Sequence, residues 1–185
     1  METKSWTADV DSETLTPGTL IDGARMYAAA ADAVNDRFPN SFHVLSQLLG
    51  MSLELALKAY LRNAGYTKQQ LKALGHDLGR LFDEAKQQGL EHTGSRNFVL
   101  RVTGALYMPR IFAYPEECVM NSIGPRRLRQ MAQELIEISF RVVHGDDAYE
   151  NLKGEPGLAI QSAYPDGCEP SAWAATVPAA AGENE

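Results

Sequence analysis

Apolar residues recur at three- and four-residue spacing along most of positions 18–145, and no stretch shows the strict alternation of a half-buried strand. From about residue 19 to 38, Leu20, Ala24, Tyr27, Ala28, Ala31 and Val34 fall on one helical face. The alanines of that segment favour helix intrinsically. Pro39 stops it, and Asn40 or Ser41 is placed to cap the next helix. This second helix, about 41 to 63, is apolar around most of its circumference, through Phe42, Val44, Leu45, Leu48, Leu49, Met51, Leu53, Leu55, Leu57, Tyr60 and Leu61. Such a helix belongs in the middle of a bundle or between subunits. One stripe on it stays polar or small: His43, Gln47, Gly50, Glu54, Lys58 and Arg62 share a face. Gly65 ends it where a left-handed cap residue is required.

Thr67 is placed to cap a short helix over 68–74, ended by Gly75. His76 and Asp77 open the next, whose inward set is Leu78, Leu81, Phe82 and Ala85, and Gly89 closes it. A further helix fits about 95–108, with Phe98, Val99, Val102, Ala105 and Leu106 inward and Pro109 at its end. The linker 109–124 carries Arg110, Tyr114, Pro115 and Gly124. Pro125 suits the first turn of a last helix over about 125–143. Its core stripe is Leu128, Met131, Leu135, Ile138 and Val142, and Gly145 is its stop. The pattern predicts an all-α fold, an antiparallel helical bundle of about five to six helices over 18–145. A loosely ordered arm (1–17) precedes it. An acidic tail containing proline and glycine (146–185) comes after it, with one docked piece expected around 158–164 or at Trp173.

A chain of 185 residues with 44% hydrophobic residues suits one domain with a real core. It has no run of about 18 consecutive apolar residues, so no membrane span is expected. The polar, acidic start lacks the pattern of a secretory signal. Cys118 and Cys168 form no CxxC pair and no disulfide framework, which fits a reducing compartment. A cytoplasmic protein is the expectation.

Charge sharpens the picture. The formal net charge is -7, yet residues 146–185 alone carry eight acids against Lys153. The body between the two acidic ends is mildly basic. Arg96, Arg101, Arg110, Arg126, Arg127 and Arg129 lie in a stretch whose acids are Glu116 and Glu117. Arginine's planar donor fork suits phosphate, so RNA or a nucleotide is one reading and a solvated helix surface the plainer one.

Three constellations carry chemistry. Glu54 and Lys58 stand in the favourable order for a helix ion pair, on a helix with little room for exposure; a charged pair there needs partners or a wet groove. His76, at a helix start, could reach a carboxylate such as Glu54. Arg141 and His144 stand three apart near a helix end. Such a pair could serve metal-independent RNA cleavage, with histidine moving protons and arginine stabilising phosphorane-like charge. As plain structure it is a cation pair complementing the helix dipole. His43, His76, His92 and His144 show no metal-binding spacing, and no metal is expected. There is no P-loop, GxGxxG or GxSxG, and no cofactor is expected.

The stretch Leu49-Gly50-Met51-Ser52-Leu53-Glu54-Leu55-Ala56-Leu57-Lys58-Ala59-Tyr60-Leu61, then Gly65, then Leu74-Gly75-His76-Asp77-Leu78 and Leu81, resembles the HEPN superfamily. That group of prokaryotic helical-bundle proteins often shows an "ELxLKA-L" helix and a downstream "GHDL" step. Arg110-Ile111-Phe112-Ala113-Tyr114-Pro115 is similar to an aromatic-proline turn of some members. The resemblance covers about residues 20–145. It implies an antiparallel bundle, often a homodimer, at work in toxin–antitoxin or phage-defence systems or in RNA and nucleotide handling. Catalytic members carry arginine, four to six residues, then histidine. Here Arg141 and His144 are separated by two residues, and the literal match from Arg37 to His43 spans the Pro39 break.

These features support three hypotheses. The first is a dimeric module that binds RNA or a nucleotide through Glu54, Lys58, His76, Arg110 and Tyr114, with Glu54 orienting Lys58 and Arg110 meeting phosphate. A metal-independent ribonuclease toxin using Arg141 and His144, with a cognate antitoxin protein, is the second. The third is a purely structural interaction module.

Overall fold

The computed structural model describes residues 15–91, 103 and 124–155. Six helices and no strand occur among the described residues, an all-α helical bundle. The expected helix over 95–108 (apart from the helical Thr103), the linker to 123, the arm before residue 15 and positions 156–185 lie outside them.

Helix α1 (Pro17–Arg37) starts with a reciprocal cap. The Thr19 amide donates to Thr16 Oγ1 at 3.1 Å and the Thr16 amide donates to Thr19 Oγ1 at 3.0 Å. Pro17 occupies the first turn, where its missing N–H costs nothing. Its buried face is narrow and small, with Ala24, Ala28 and Ala31 fully buried. Small residues let a neighbouring helix approach closely, and α2 (Phe42–Asn63) does so. The Ser52 hydroxyl donates across the seam to the Ala24 carbonyl at 2.9 Å. Ser41 holds the N-cap position of α2 without making a side-chain cap bond.

Helix α2 is the axis of the bundle, and Leu45, Leu49, Leu53, Leu57 and Leu61 are fully buried. It packs against α1, α3 (Lys68–Leu74), α4 (Leu78–Gln87) and α5 (Pro125–His144). By length and composition it is long and apolar enough to cross a membrane, yet most of it is buried inside the fold. That is where an all-round apolar helix of a bundle sits. At its C-terminal end, Arg62 donates through Nε to the Leu15 carbonyl (3.1 Å) and through a terminal nitrogen to the Tyr66 carbonyl (2.8 Å). The last member of the polar stripe thus ties the helix end to the start of α1.

Pairings fix the directions. Ser52 meets Ala24 and Arg62 meets Leu15, so α1 and α2 are antiparallel. Arg129 meets Asp32 while His144 lies beside Gly18, so α5 is also antiparallel to α1. Helices α2 and α5 therefore run the same way, joined where the Ser139 hydroxyl donates to the Ala56 carbonyl at 3.0 Å.

Two details depart from the sequence reading. Val142, expected in the core stripe of α5, is exposed. A seven-residue step (128, 135, 142) drifts about 20° per heptad on a straight helix, and the buried face turns instead through Ile136, Ser139 and Phe140. Beyond Gly145 the chain forms a further helix, α6 (Asp146–Leu152), inside the segment expected to be tail. It buries Tyr149 against Phe140, with ring centroids 6.4 Å apart. Gly145 makes the corner with φ 88°, a conformation other residues rarely adopt.

Candidate functional site

The polar stripe of α2 resolves into separate roles. Gly50 is buried and Arg62 clamps the helix end. Between them Glu54 sits 3% exposed within the bundle. A lone carboxylate there would cost several kcal/mol in lost hydration, and two donors converge on it. Lys58, one turn along, places its ammonium 2.5 Å from Glu54 Oε1, with its side chain largely covered. His76 places Nδ1 2.9 Å and 3.0 Å from the two carboxylate oxygens.

Local sequence delivers His76 to that point. The reciprocal cap between Thr67 and Gln70 starts α3. Gly75 ends it at φ 65° and turns the chain back toward α2. Asp77 then caps α4, accepting from the Arg80 amide at 3.0 Å. His76 is thus held between a glycine turn and a capped helix.

A carboxylate only accepts hydrogen bonds, so the Nδ1 that faces it is the donor, and Nε2 is the nitrogen turned away from the carboxylate. The imidazole side chain is 58% exposed. The arrangement is a buried carboxylate that fixes the tautomer and orientation of an open imidazole, with an ammonium alongside. It can hydrogen-bond through Nε2 and present the Lys58 ammonium to an anion.

The remaining candidates fare differently. Arg110 and Tyr114 lie outside the described residues. Arg141 donates to Glu137 at 2.9 Å, lies 3.7 Å from Asp146 and 3.9 Å from Glu150, and stacks over Tyr149 at 4.1 Å. Its guanidinium closes the α5–α6 corner within an acidic surround. His144 packs its ring on Phe140, centroids 4.6 Å apart, beside Gly18. Both side chains thus pack on the neighbouring rings Phe140 and Tyr149 at the α5–α6 corner. Burial pushes the Tyr149 phenol above its ordinary value.

The arginine series divides. Arg129, read from sequence as one of a phosphate-facing set, is 1% exposed and belongs to the core. Its Nε and a terminal nitrogen donate to the two oxygens of buried Asp32 at 2.7 and 2.8 Å, and its other terminal nitrogen donates to Gln133 at 2.9 Å. This two-pronged pair is the polar feature that sequence reasoning missed. The one available signal was Asp32 continuing the buried alanine face of α1. Arg126 and Arg127 are exposed.

Among the described residues, no group of three or more histidine, cysteine or acidic side chains is placed to hold a metal ion. Comparison with protein-family models, curated proteins and solved structures gave no match.

Proposed function

We propose that this chain is a HEPN-like bundle that binds an anionic ligand, RNA or a nucleotide, at the Glu54–Lys58–His76 cluster. It would do so as a dimer, in a prokaryotic defence or toxin–antitoxin setting alongside an antitoxin protein. One observation carries the reading. The two motifs behind the family resemblance are more than a dozen residues apart in the chain, yet they meet in space, Glu54 and Lys58 from the first and His76 from the second. Burial of the carboxylate adds weight, since a buried charge kept at an open edge is costly and suits a site that must hold donors in fixed positions. Lys58 supplies charge for phosphate and His76 a directed nitrogen for a hydroxyl or base edge.

The test is binding of a short single-stranded RNA and of individual nucleoside phosphates to the full chain, by fluorescence anisotropy and calorimetry. His76→Gln and Lys58→Gln should each weaken the ligand that binds. Equal affinity in wild type and both variants would remove the cluster from the binding reaction.

A further inference from the structure

Helix α6 is held by chemistry that a separate chain could supply. Two arginines stand against it, each laid on an aromatic ring. Arg25 of α1 lies 5.3 Å from the ring centre of Phe140, and Arg141 of α5 lies 4.1 Å from that of Tyr149. The two rings are neighbours, their centres 6.4 Å apart. Tyr149 is the one buried residue of α6, and Ala148 and Leu152 pack beside it, partly buried. Around this apolar seat the acids of the segment meet the two cations. Glu155 lies 3.2 Å from Arg25, while Asp146 and Glu150 lie 3.7 and 3.9 Å from Arg141.

The seat is shaped for carboxylates, and α6 fills it incompletely. Each guanidinium has one acid from its own helix, Asp22 at 3.5 Å and Glu137 at 2.9 Å. What remains is room for single carboxylates set around an aromatic ring. A peptide offers that pattern, and a phosphate chain, charged at every link, does not. The contacts of α6 to Arg141 are longer than hydrogen bonds. Among the described residues, Nε of Arg25 and Nε of Arg141 are both enclosed with no acceptor, which is destabilising for an N–H. A segment free to choose its seating can turn a carboxylate toward Nε and a terminal nitrogen together, the two-bond geometry that suits a guanidinium. Helix α6 is tied to the corner at Gly145, φ 88°, and lacks that freedom. Its hold is also slight. Asp146, Glu150 and Glu155 are all more than half exposed, and ion pairs that open contribute little.

We infer that the face of α1 and α5 covered by α6, formed by Arg25, Phe140 and Arg141, is a docking surface for an acidic, aromatic-bearing peptide segment of a partner protein. Helix α6 occupies it in the free chain as an internal stand-in. The pattern a partner presents is the one that α6 displays: an acid, then an aromatic side chain with an acid next to it, then a further acid, as in Asp146, Tyr149, Glu150 and Glu155. None of these residues lies on α2, α3 or α4, so the surface is independent of the Glu54 cluster and of the role proposed for it.

The experiment measures, by fluorescence anisotropy, binding of a labelled peptide with the sequence of residues 146–155 to the full chain. Wild type should bind it weakly, because tethered α6 competes at high effective concentration. Tyr149→Ala empties the seat and should tighten binding at least about tenfold, as the open fraction rises. Glu150→Gln/Glu155→Gln, at exposed positions, should tighten it about threefold. Adding Arg25→Gln to the Tyr149→Ala chain should undo most of the gain. Circular dichroism checks that the helices remain. If the Tyr149→Ala chain has lost them, the Glu150→Gln/Glu155→Gln chain decides alone. Equal affinity in wild type and the loosened chains overturns the inference. So does equal binding of a peptide that itself carries Tyr149→Ala, a control that leaves the fold untouched. Displacement of the peptide by oligouridylate at equal concentration would also overturn it, by making the face a general polyanion surface. Capture of the Tyr149→Ala chain by a wild-type copy, tighter than by the peptide, would assign the face to exchange of α6 between copies instead.

Discussion

Removing one half of the Asp32–Arg129 pair should cost the protein a large part of its stability. Asp32 is 3% exposed and Arg129 1% exposed, and two short bonds join them. Asp32→Ala leaves a guanidinium buried opposite a methyl group, with its bond to Gln133 still in place. Breaking a buried pair in this way costs about 3–5 kcal/mol, against a total of about 5–15 kcal/mol for a typical domain. With a urea dependence of about 2 kcal/mol per molar, the midpoint of helix loss should fall by roughly 2 M. Equilibrium unfolding followed at 222 nm reads this directly. A cycle with Arg129→Ala supplies the control, because the two losses should fall well short of additive. Adding Arg129→Met and Gln133→Leu to Asp32→Leu should return most of the lost stability, since apolar groups of similar size remove the desolvation cost. A midpoint shift below about 0.5 M for Asp32→Ala, or additive single losses, would refute a dry, mutually dependent pair.

The seam between α1 and α2 gives a second prediction. Ala28 is fully buried, so Ala28→Leu should cost about 1–3 kcal/mol by overpacking, read in the same unfolding assay. Alkaline pH gives a third. The Tyr66 hydroxyl donates to Glu84 at 2.6 Å, and that bond, with some burial, raises the phenol above its ordinary value of 10.0. The folded chain therefore holds this proton more tightly than the unfolded chain. The contribution is whole below pH 10.0 and is lost as pH rises through the folded value. Tyr66→Phe should lower stability at neutral pH and flatten the profile above pH 10.0, so that its deficit against wild type shrinks as pH rises. A fourth concerns α6: a chain ending after Gly145 uncovers Phe140, and should be less stable by about 2 kcal/mol than one ending after Glu155. Equal melting temperatures would mean that α6 merely rests on the bundle.

Where local sequence decides the outcome, it was legible. Thr67 and Gln70 frame a helix start through bonds that residues three apart can make between themselves. Gly75, Gly89 and Gly145 stop helices because the backbone needs a positive φ there. The apolar character of α2 around most of its circumference pointed to the centre of the bundle. It also made the Glu54–Lys58 pair conspicuous, because a charge with no exposed side to occupy must find partners. Asp32 and Arg129 escaped notice for the opposite reason. Arg129 looks like an ordinary surface charge, Asp32 is marked only by its place on the alanine face of α1, and their partnership spans 97 residues. Helix α6 was hidden by the proline and glycine beyond it, which gave the whole acidic stretch the composition of a tail. Val142 shows a smaller error of the same kind, since a seven-residue spacing tracks a helical face for only two steps before it rotates away.

His76 has one edge on Glu54 and the other toward solvent, and that makes it a mechanical link. Any molecule that grips the outer nitrogen also pulls on the corner between α3 and α4, whose seating depends on the carboxylate inside. Occupancy outside and tightness inside must then change together, by equal and reciprocal amounts. Amide protons around Gly75 should exchange more slowly when the imidazole is engaged, and a substitution that loosens the corner should release the bound molecule faster.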